Sequence, residues 1–312
     1  MKRIALMERK NSCLACGNTK DNSFYTASEK MHGLGGKFEY MSCGACKSLQ
    51  LVHIPEDLSP YYPVDYYAFG RLVYSSGLKN LFKRWRKKLF DLQLWKFGYP
   101  EYLDWIAPLN LHENDRIADI GCGNGQLVYE LKCSGFKNLL GFDPYLPEEM
   151  TMEGLELQKR NVFGISGLYD VIMLHHSFEH MENPIEVMDK LNSLLKKGGK
   201  LLIRVPVTDA EVWEQEKTDW FQLDAPRHFF IPSKKSMKIL AEKCGFKLEQ
   251  IIFDSNEFQF IITDMYKKGK TLTGNNPENW VDRKTRKSLQ QKAKILNQSH
   301  KGDQACFYFE KA

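Results

Sequence analysis

The stretch Asp119-Ile120-Gly121-Cys122-Gly123-Asn124-Gly125 decides how this 312-residue chain reads. It follows the strand-like run RIADI and leads into NGQLVYELKCSG, so its glycines bring backbone close to a ligand just before a helix N-terminus. Outward from it, NLLGFD, YDVIMLHH, PIEVMDKLNSLLKKGG and KLLIRVPV alternate strand and helix patterns, which predicts an open α/β sheet. The strand after the turn ends at Asp143, 18 residues beyond Gly125, where a carboxylate is placed to accept hydrogen bonds from ribose hydroxyls. The nicotinamide fingerprint G-x-G-x-x-G fits poorly, because Gly125 comes too early and Gln126 fills the third-glycine position.

At these residues the chain resembles the class I S-adenosylmethionine-dependent methyltransferases, whose acidic-x-Gly-x-Gly-x-Gly motif precedes an acidic residue closing the second strand. The resemblance runs from about Tyr102 to Lys311 and includes EKCGFKLEQIIFD and DQACFYFEK, similar to the last two strands of that family. It implies a Rossmann-like, seven-stranded α/β sheet. For the cofactor, it implies a site built from Asp119, Gly121, Gly123 and Gly125, with Asp143 on the ribose, Asn161 and Val162 on the adenine edge, and His175 near the sulfonium.

Methyl transfer also needs an acceptor held in line and relieved of its proton. The segment HHSFEHMENP offers His175, His176, Glu179 and His180 where open α/β sheets bind ligands. His176-x-x-Glu179-His180 spells the inverted zinc-protease pattern, but it follows a strand and meets Pro184 rather than lying in a continuous helix. Glu179-His180 resembles the pair in quinone-biosynthesis methyltransferases, some of which hold a divalent ion; the resemblance implies Mg2+ here, and the alternative is a pair that fixes the loop. Further on, EVWEQEKTDWFQLDAPRHFFIPSKKS supplies Trp220, Asp224, Arg227 and Phe229 as an expected acceptor pocket, with His228 as the expected general base and His175 and His180 as the other candidates. Within it, LDAPRHFFIPS resembles a subgroup from bacterial surface-polysaccharide pathways, which implies a sugar acceptor.

Ahead of this domain, Cys13, Cys16, Cys43 and Cys46 form two C-x-x-C pairs separated by 26 residues, the pattern of a closed, structural four-thiolate zinc site. The other four cysteines are scattered. The expected organisation is a zinc ribbon over 1–56, a linker with a basic amphipathic helix over 57–100, and the methyltransferase domain over 101–312. In that helix Leu78, Leu81, Phe82, Trp85, Leu89 and Leu92 make an apolar stripe expected to dock on the main domain, while Lys79, Lys83, Arg84, Arg86, Lys87 and Lys88 surround it. The basic face could instead meet anionic lipid, as peripheral membrane association, or a polyphosphate. The run ENWVDRKTRKSLQQKAKILNQSHKG reads as a charged helix between the last two strands.

A net charge of +5 permits anionic partners without requiring nucleic acid. With no apolar stretch of signal-peptide or membrane-spanning length, the expected compartment is the cytoplasm. The function expected from the sequence is methylation of a sugar hydroxyl on a nucleotide-sugar or surface-glycan intermediate, with nucleic acid not expected as a partner. Three rival readings are carbon methylation of a keto-deoxysugar nucleotide, ribosomal-RNA base methylation, and a non-catalytic cofactor-binding scaffold.

Overall fold

The computed structural model describes residues 11–62, 70–95, 97–146 and 148–312; residues 1–10 and 63–69, the latter in the expected linker, lie outside the described residues. The amino-terminal module is a small antiparallel sheet of β1 (Ser23–Glu29), β2 (Gly35–Ser42) and β3 (Leu49–Leu51). The larger domain is built on one eight-stranded sheet. Its centre is β4 (Arg116–Ile120), flanked in parallel by β5 (Asn138–Phe142) and β8 (Tyr169–His175). Beyond β5 come β7 (Leu155–Gln158) and then β6 (Met150–Met152), and beyond β8 come β9 (Leu195–Pro206), β12 (Gln304–Lys311) and β11 (Phe246–Phe253). Strand β12 runs antiparallel to both neighbours.

The chain leaves β4 toward β5 on one side and reaches β8 on the other, so the Gly-rich turn sits at the point where strand order reverses, where such sheets bind ligands. The expected seven strands are all present. The eighth, β6, is an edge hairpin arm paired antiparallel with β7. One apolar layer covers each face: Leu174, Leu201, Ile203 and Phe307 on one side, Ile117, Val171, Met173 and Leu202 on the other.

The ribbon is bound into this domain rather than tethered to it. A two-residue strand of the larger domain, β10 (Phe230–Ile231), pairs antiparallel with β3 and extends the ribbon sheet to four strands. Tyr40, Leu49 and Leu51 of the ribbon share one apolar cluster with Trp213, Trp220, Leu223 and Phe229 from the segment after β9.

The basic helix α1 (Gly77–Asp91) sits the other way round from expectation. Its apolar stripe faces outward, with Leu78, Leu81, Phe82 and Trp85 between 48% and 83% exposed. Its cations hold it to the domain: Lys83 pairs with Glu130 at 2.7 Å, and the Lys87 ammonium lies 5.0 Å from the centre of the Phe136 ring. Long lysine stems can supply apolar contact and reach a carboxylate at once, which lets a cationic face dock. The expected charged helix between the last two strands is present as α8 (Arg283–Gln298), its N-terminus capped by Asp282. Among the described residues no helix is long and apolar enough to cross a membrane.

Candidate active site

The two C-x-x-C pairs fold into matching knuckles. In each, the first cysteine's carbonyl accepts from the residue four positions on, Gly17 N–H at 2.8 Å and Lys47 N–H at 3.0 Å, and both of those residues hold positive φ. The four sulfurs gather within 4.8 Å of one another, with Cys13–Cys46 and Cys16–Cys43 each at 3.5 Å. A tetrahedral ion with metal–sulfur bonds of about 2.3 Å separates its ligands by roughly 3.8 Å, so the thiols fit such an ion. The Cys13 thiol is pulled down to about 4, chiefly by its hydrogen bond with Cys46, whose own proton is held correspondingly tightly.

At the Gly-rich turn, Gly121 has φ +78° and a Cβ there would lie 2.3 Å from the Ser177 Cβ, so only glycine fits. Ser177 in turn donates to the Ile120 carbonyl at 2.7 Å, locking the loop after β8 beneath the turn. Gly125, with φ +82°, faces Leu157 just as tightly and opens helix α3 (Gln126–Cys133). Asp143 accepts from Gly123 N–H at 2.9 Å and Tyr145 N–H at 2.8 Å, which fixes its carboxylate and leaves further lone pairs for hydroxyl donors. Asp119 is buried, and its Oδ1 has no hydrogen-bond partner among the described residues. Burial first, and the Asp143 charge second, push its carboxyl up to about 7. An orphaned carboxylate oxygen beside a glycine turn is what a cationic ligand group would satisfy, so the site fits a cofactor with an ammonium and a ribose. Val162 is buried, while exposed Asn161 uses its Oδ1 to accept from Gly164 N–H at 3.0 Å.

The acceptor side departs from expectation. Arg227 is fully buried: it donates to Glu29 of β1 at 2.9 Å, to Asp224, and to the Tyr61 carbonyl at 3.1 Å. Four of its five N–H donors are taken up inside the protein and its side chain does not reach solvent. Trp220 is 1% exposed with its indole N–H on Asp303, Phe229 lies in the ribbon cluster, and the Asp224 carboxylate is spent on Arg227. Trp220, Arg227 and Phe229 are therefore internal supports rather than acceptor contacts, while half-buried Asp224 keeps its carboxylate on Arg227.

The histidines are redistributed too. His228 is buried, donates Nδ1–H to the Gln222 carbonyl at 2.7 Å, and is lowered to about 4 by burial and then by His180. Its Nε2 faces Glu179 and Asp224 at 3.9 and 3.8 Å, so as a general base it lacks both access and basicity. Both ring nitrogens of His175 are buried without partners among the described residues. That ring sits 5.1 Å from Trp105, and burial, then the nearby Arg204, holds its pKa well below the ordinary value. His180, half-buried, donates to the Arg227 carbonyl at 2.9 Å and lies 4.7 Å ring to ring from His228. Sequence reasoning missed Glu29 altogether, because its partner lies 198 positions away, and it missed Ser177, whose only signal was its place beside the histidine segment.

A family model described as a methyltransferase domain matches residues 94–251. Among curated proteins, the chain is 26% identical to a tRNA U34 carboxymethyltransferase of Campylobacter fetus subsp. fetus, over 64% of this chain and 75% of that one. It is also 26% identical to one of Helicobacter acinonychis, over 64% and 82%, and 23% identical to one of Idiomarina loihiensis, over 66% and 69%. Among solved structures, the cyclopropane synthase MmaA2 from Mycobacterium tuberculosis aligns over 68% of this chain and 84% of its own, at 16% identity and a TM-score of 0.46. These relatives correct two expectations, the sugar or glycan acceptor and the exclusion of nucleic acid, since the curated ones are named for transfer RNA.

Proposed function

Because the chain belongs to the methyltransferase-domain family, whose model spans residues 94–251, we propose that this S-adenosylmethionine-dependent methyltransferase modifies transfer RNA. The match to tRNA U34 carboxymethyltransferases over about two thirds of the chain carries this reading.

The surface beside the cofactor turn supports it. Helix α1 and its approach adjoin that turn, since Asn124 donates to the Gly70 carbonyl at 2.9 Å and Gln126 exchanges hydrogen bonds with Val73. On this surface Tyr74, Phe82 and Trp85 are 48% to 61% exposed, and Lys79, Arg84 and Lys88 stand exposed among them. Exposed rings suit unstacked bases of an RNA loop, and interleaved cations suit its phosphates. The helix face left without a docking role in the fold thereby gains a use.

When bound, the cofactor supplies an electrophilic methyl group. The chain's own residues hold and orient it: Asp119 through its unpaired oxygen toward the ammonium, Asp143 on the ribose, Val162 and the backbone at Asn161 beside the adenine, and Gly121 and Gly123 by close backbone approach. Cys13, Cys16, Cys43 and Cys46 hold zinc as a structural ion, which fixes the ribbon against which the loop carrying Arg227 packs.

Binding of fluorescent total tRNA, measured against salt, tests the surface. Trp85→Ala should weaken binding by about 1–3 kcal/mol, the scale of one base stacked on an aromatic ring. Lys79→Glu with Arg84→Glu should lower the salt slope by roughly 0.7–0.9 per lost phosphate contact. Unchanged affinity and slope in both variants would remove this surface from the reading.

A further inference from the structure

Two loops converge on one buried carboxylate at the edge of the cofactor turn. The first follows β8 and carries Glu179 and His180 in a 3-10 turn (Phe178–His180), directly after the Ser177 that locks under Gly121. The second lies between β9 and β10 and carries His228. They are stitched together by Phe229 N–H donating to the Glu179 carbonyl at 2.7 Å.

The imidazoles are both oriented from behind. His180 and His228 each donate Nδ1–H to a main-chain carbonyl, Arg227 O at 2.9 Å and Gln222 O at 2.7 Å, so each keeps Nε2 as a bare lone pair. A backbone acceptor on the far nitrogen is how proteins fix the tautomer and ring angle of a metal-binding histidine. The rings lie 4.7 Å apart at 74°, too steep for stacking. Glu179 is fully buried, and its Oε2 has no hydrogen-bond partner among the described residues, although a buried carboxylate normally finds several. Its Oε1 is 3.3 Å from the His176 Nδ1 and 3.9 Å from the His228 Nε2. One donor atom from each of Glu179, His180 and His228 lies within 4.8 Å of the other two. Bonds of about 2.0–2.2 Å to a shared ion would set those atoms roughly 3–3.6 Å apart, so a small inward shift closes the set.

We propose that Glu179, His180 and His228 form a second metal site, distinct from the four-cysteine cluster, which takes a divalent first-row transition ion such as zinc or manganese. The third ligand decides the ion. The Mg2+ expected at Glu179 and His180 would need an almost all-oxygen shell, whereas two imidazoles with one carboxylate suit a transition metal. Three protein donors leave a coordination position for water. The ion would compensate the buried Glu179 charge and pin the loop after β8 to the loop that carries His228.

The test uses the whole protein with its cysteine cluster loaded with zinc, titrated with Co2+. We expect one further equivalent per chain, with weak visible absorption and no thiolate-to-metal charge-transfer band. His228→Gln should abolish that equivalent while keeping the cysteine-bound zinc, and Glu179→Gln should weaken it by more than about tenfold, the loss already seen when only an outer-shell partner is removed. Absence of the second equivalent in the wild-type protein overturns the proposal, whether or not the variants fold. So does a thiolate band on the added cobalt, or uptake that survives both substitutions.

Discussion

Glu29 and Arg227 meet at 2.9 Å with both side chains fully buried, joining the first strand of the ribbon to the loop that carries His228. Arg227 also holds Asp224 and the Tyr61 carbonyl, so one guanidinium fastens ribbon, linker and acceptor-side loop. Removing one partner of a buried pair leaves the other charge unpaired, which costs about 3–5 kcal/mol. Glu29→Ala should therefore lower unfolding stability by about 3 kcal/mol, toward the small end because Asp224 remains. Denaturant unfolding showing less than about 0.5 kcal/mol of change would contradict the fastening role.

The zinc prediction follows from the same coupling. Cys43→Ser removes one thiolate from a cluster whose knuckles dock on helix α6 (Lys234–Lys243), with Lys243 donating to the Ala15 carbonyl and Lys235 to the Ala45 carbonyl, each at 2.8 Å. The variant should lose its one cysteine-bound zinc, as read by metal analysis, and protease should cut the ribbon sooner than the catalytic sheet. Retention of one zinc per chain when Cys43→Ser is combined with His228→Gln, which removes the second site, would refute the four-thiolate assignment.

On the cofactor side, Asp143→Ala removes a charged acceptor and should weaken S-adenosylmethionine binding by about 1.5–3 kcal/mol, measured by calorimetry. Gly121→Ala should be more severe, because its Cβ would overlap Ser177 and its φ of +78° disfavours any side chain. Normal affinity in both variants would displace the cofactor from this turn.

Asp119 makes a pH prediction. Its carboxyl stands near 7 in the folded protein against 3.8 ordinarily, so between those values the folded state holds a proton that the unfolded state has lost. Its stabilising contribution is complete below about pH 4 and is lost as pH rises toward 7, at up to about 1.4 kcal/mol per unit. Relative to Asp119→Asn, the cofactor-free wild type should thus lose stability across pH 4.5–7 in paired denaturant titrations. Saturating cofactor should shrink that difference by placing an ammonium beside the carboxylate. Parallel curves for the two proteins would show that Asp119 ionises at its ordinary value.

Much of this was legible in the sequence, and the rest was hidden for identifiable reasons. The glycine turn, Asp119 and Asp143 follow local rules of turn chemistry and period, so they could be read directly, while the late strands at 246–253 and 304–311 were implied by the resemblance to the methyltransferase family. Strand β6 is only three residues, Met150–Met152, too short for alternation to show. Helix α1 displays an apolar stripe and a cationic face, but periodicity cannot say which one docks, and Lys83 and Lys87 found partners on the domain. Arg227 and His228 read as acceptor contacts because their chemistry suits substrates. Their burial depends on a ribbon strand nearly 200 residues away, which no local pattern encodes. A separation of 48 residues, between loops on different strands, likewise concealed the pairing of His228 with His180.

The most direct test of the central claim is transfer itself. Purified protein is incubated with methyl-labelled S-adenosylmethionine and either total tRNA or a panel of nucleotide sugars and lipid-linked glycans, and the products are digested and resolved by mass spectrometry. The account predicts label in one tRNA nucleoside, lost in Asp143→Ala, and none in the sugar fractions. Label confined to a sugar or glycan, with tRNA unmodified, would contradict it.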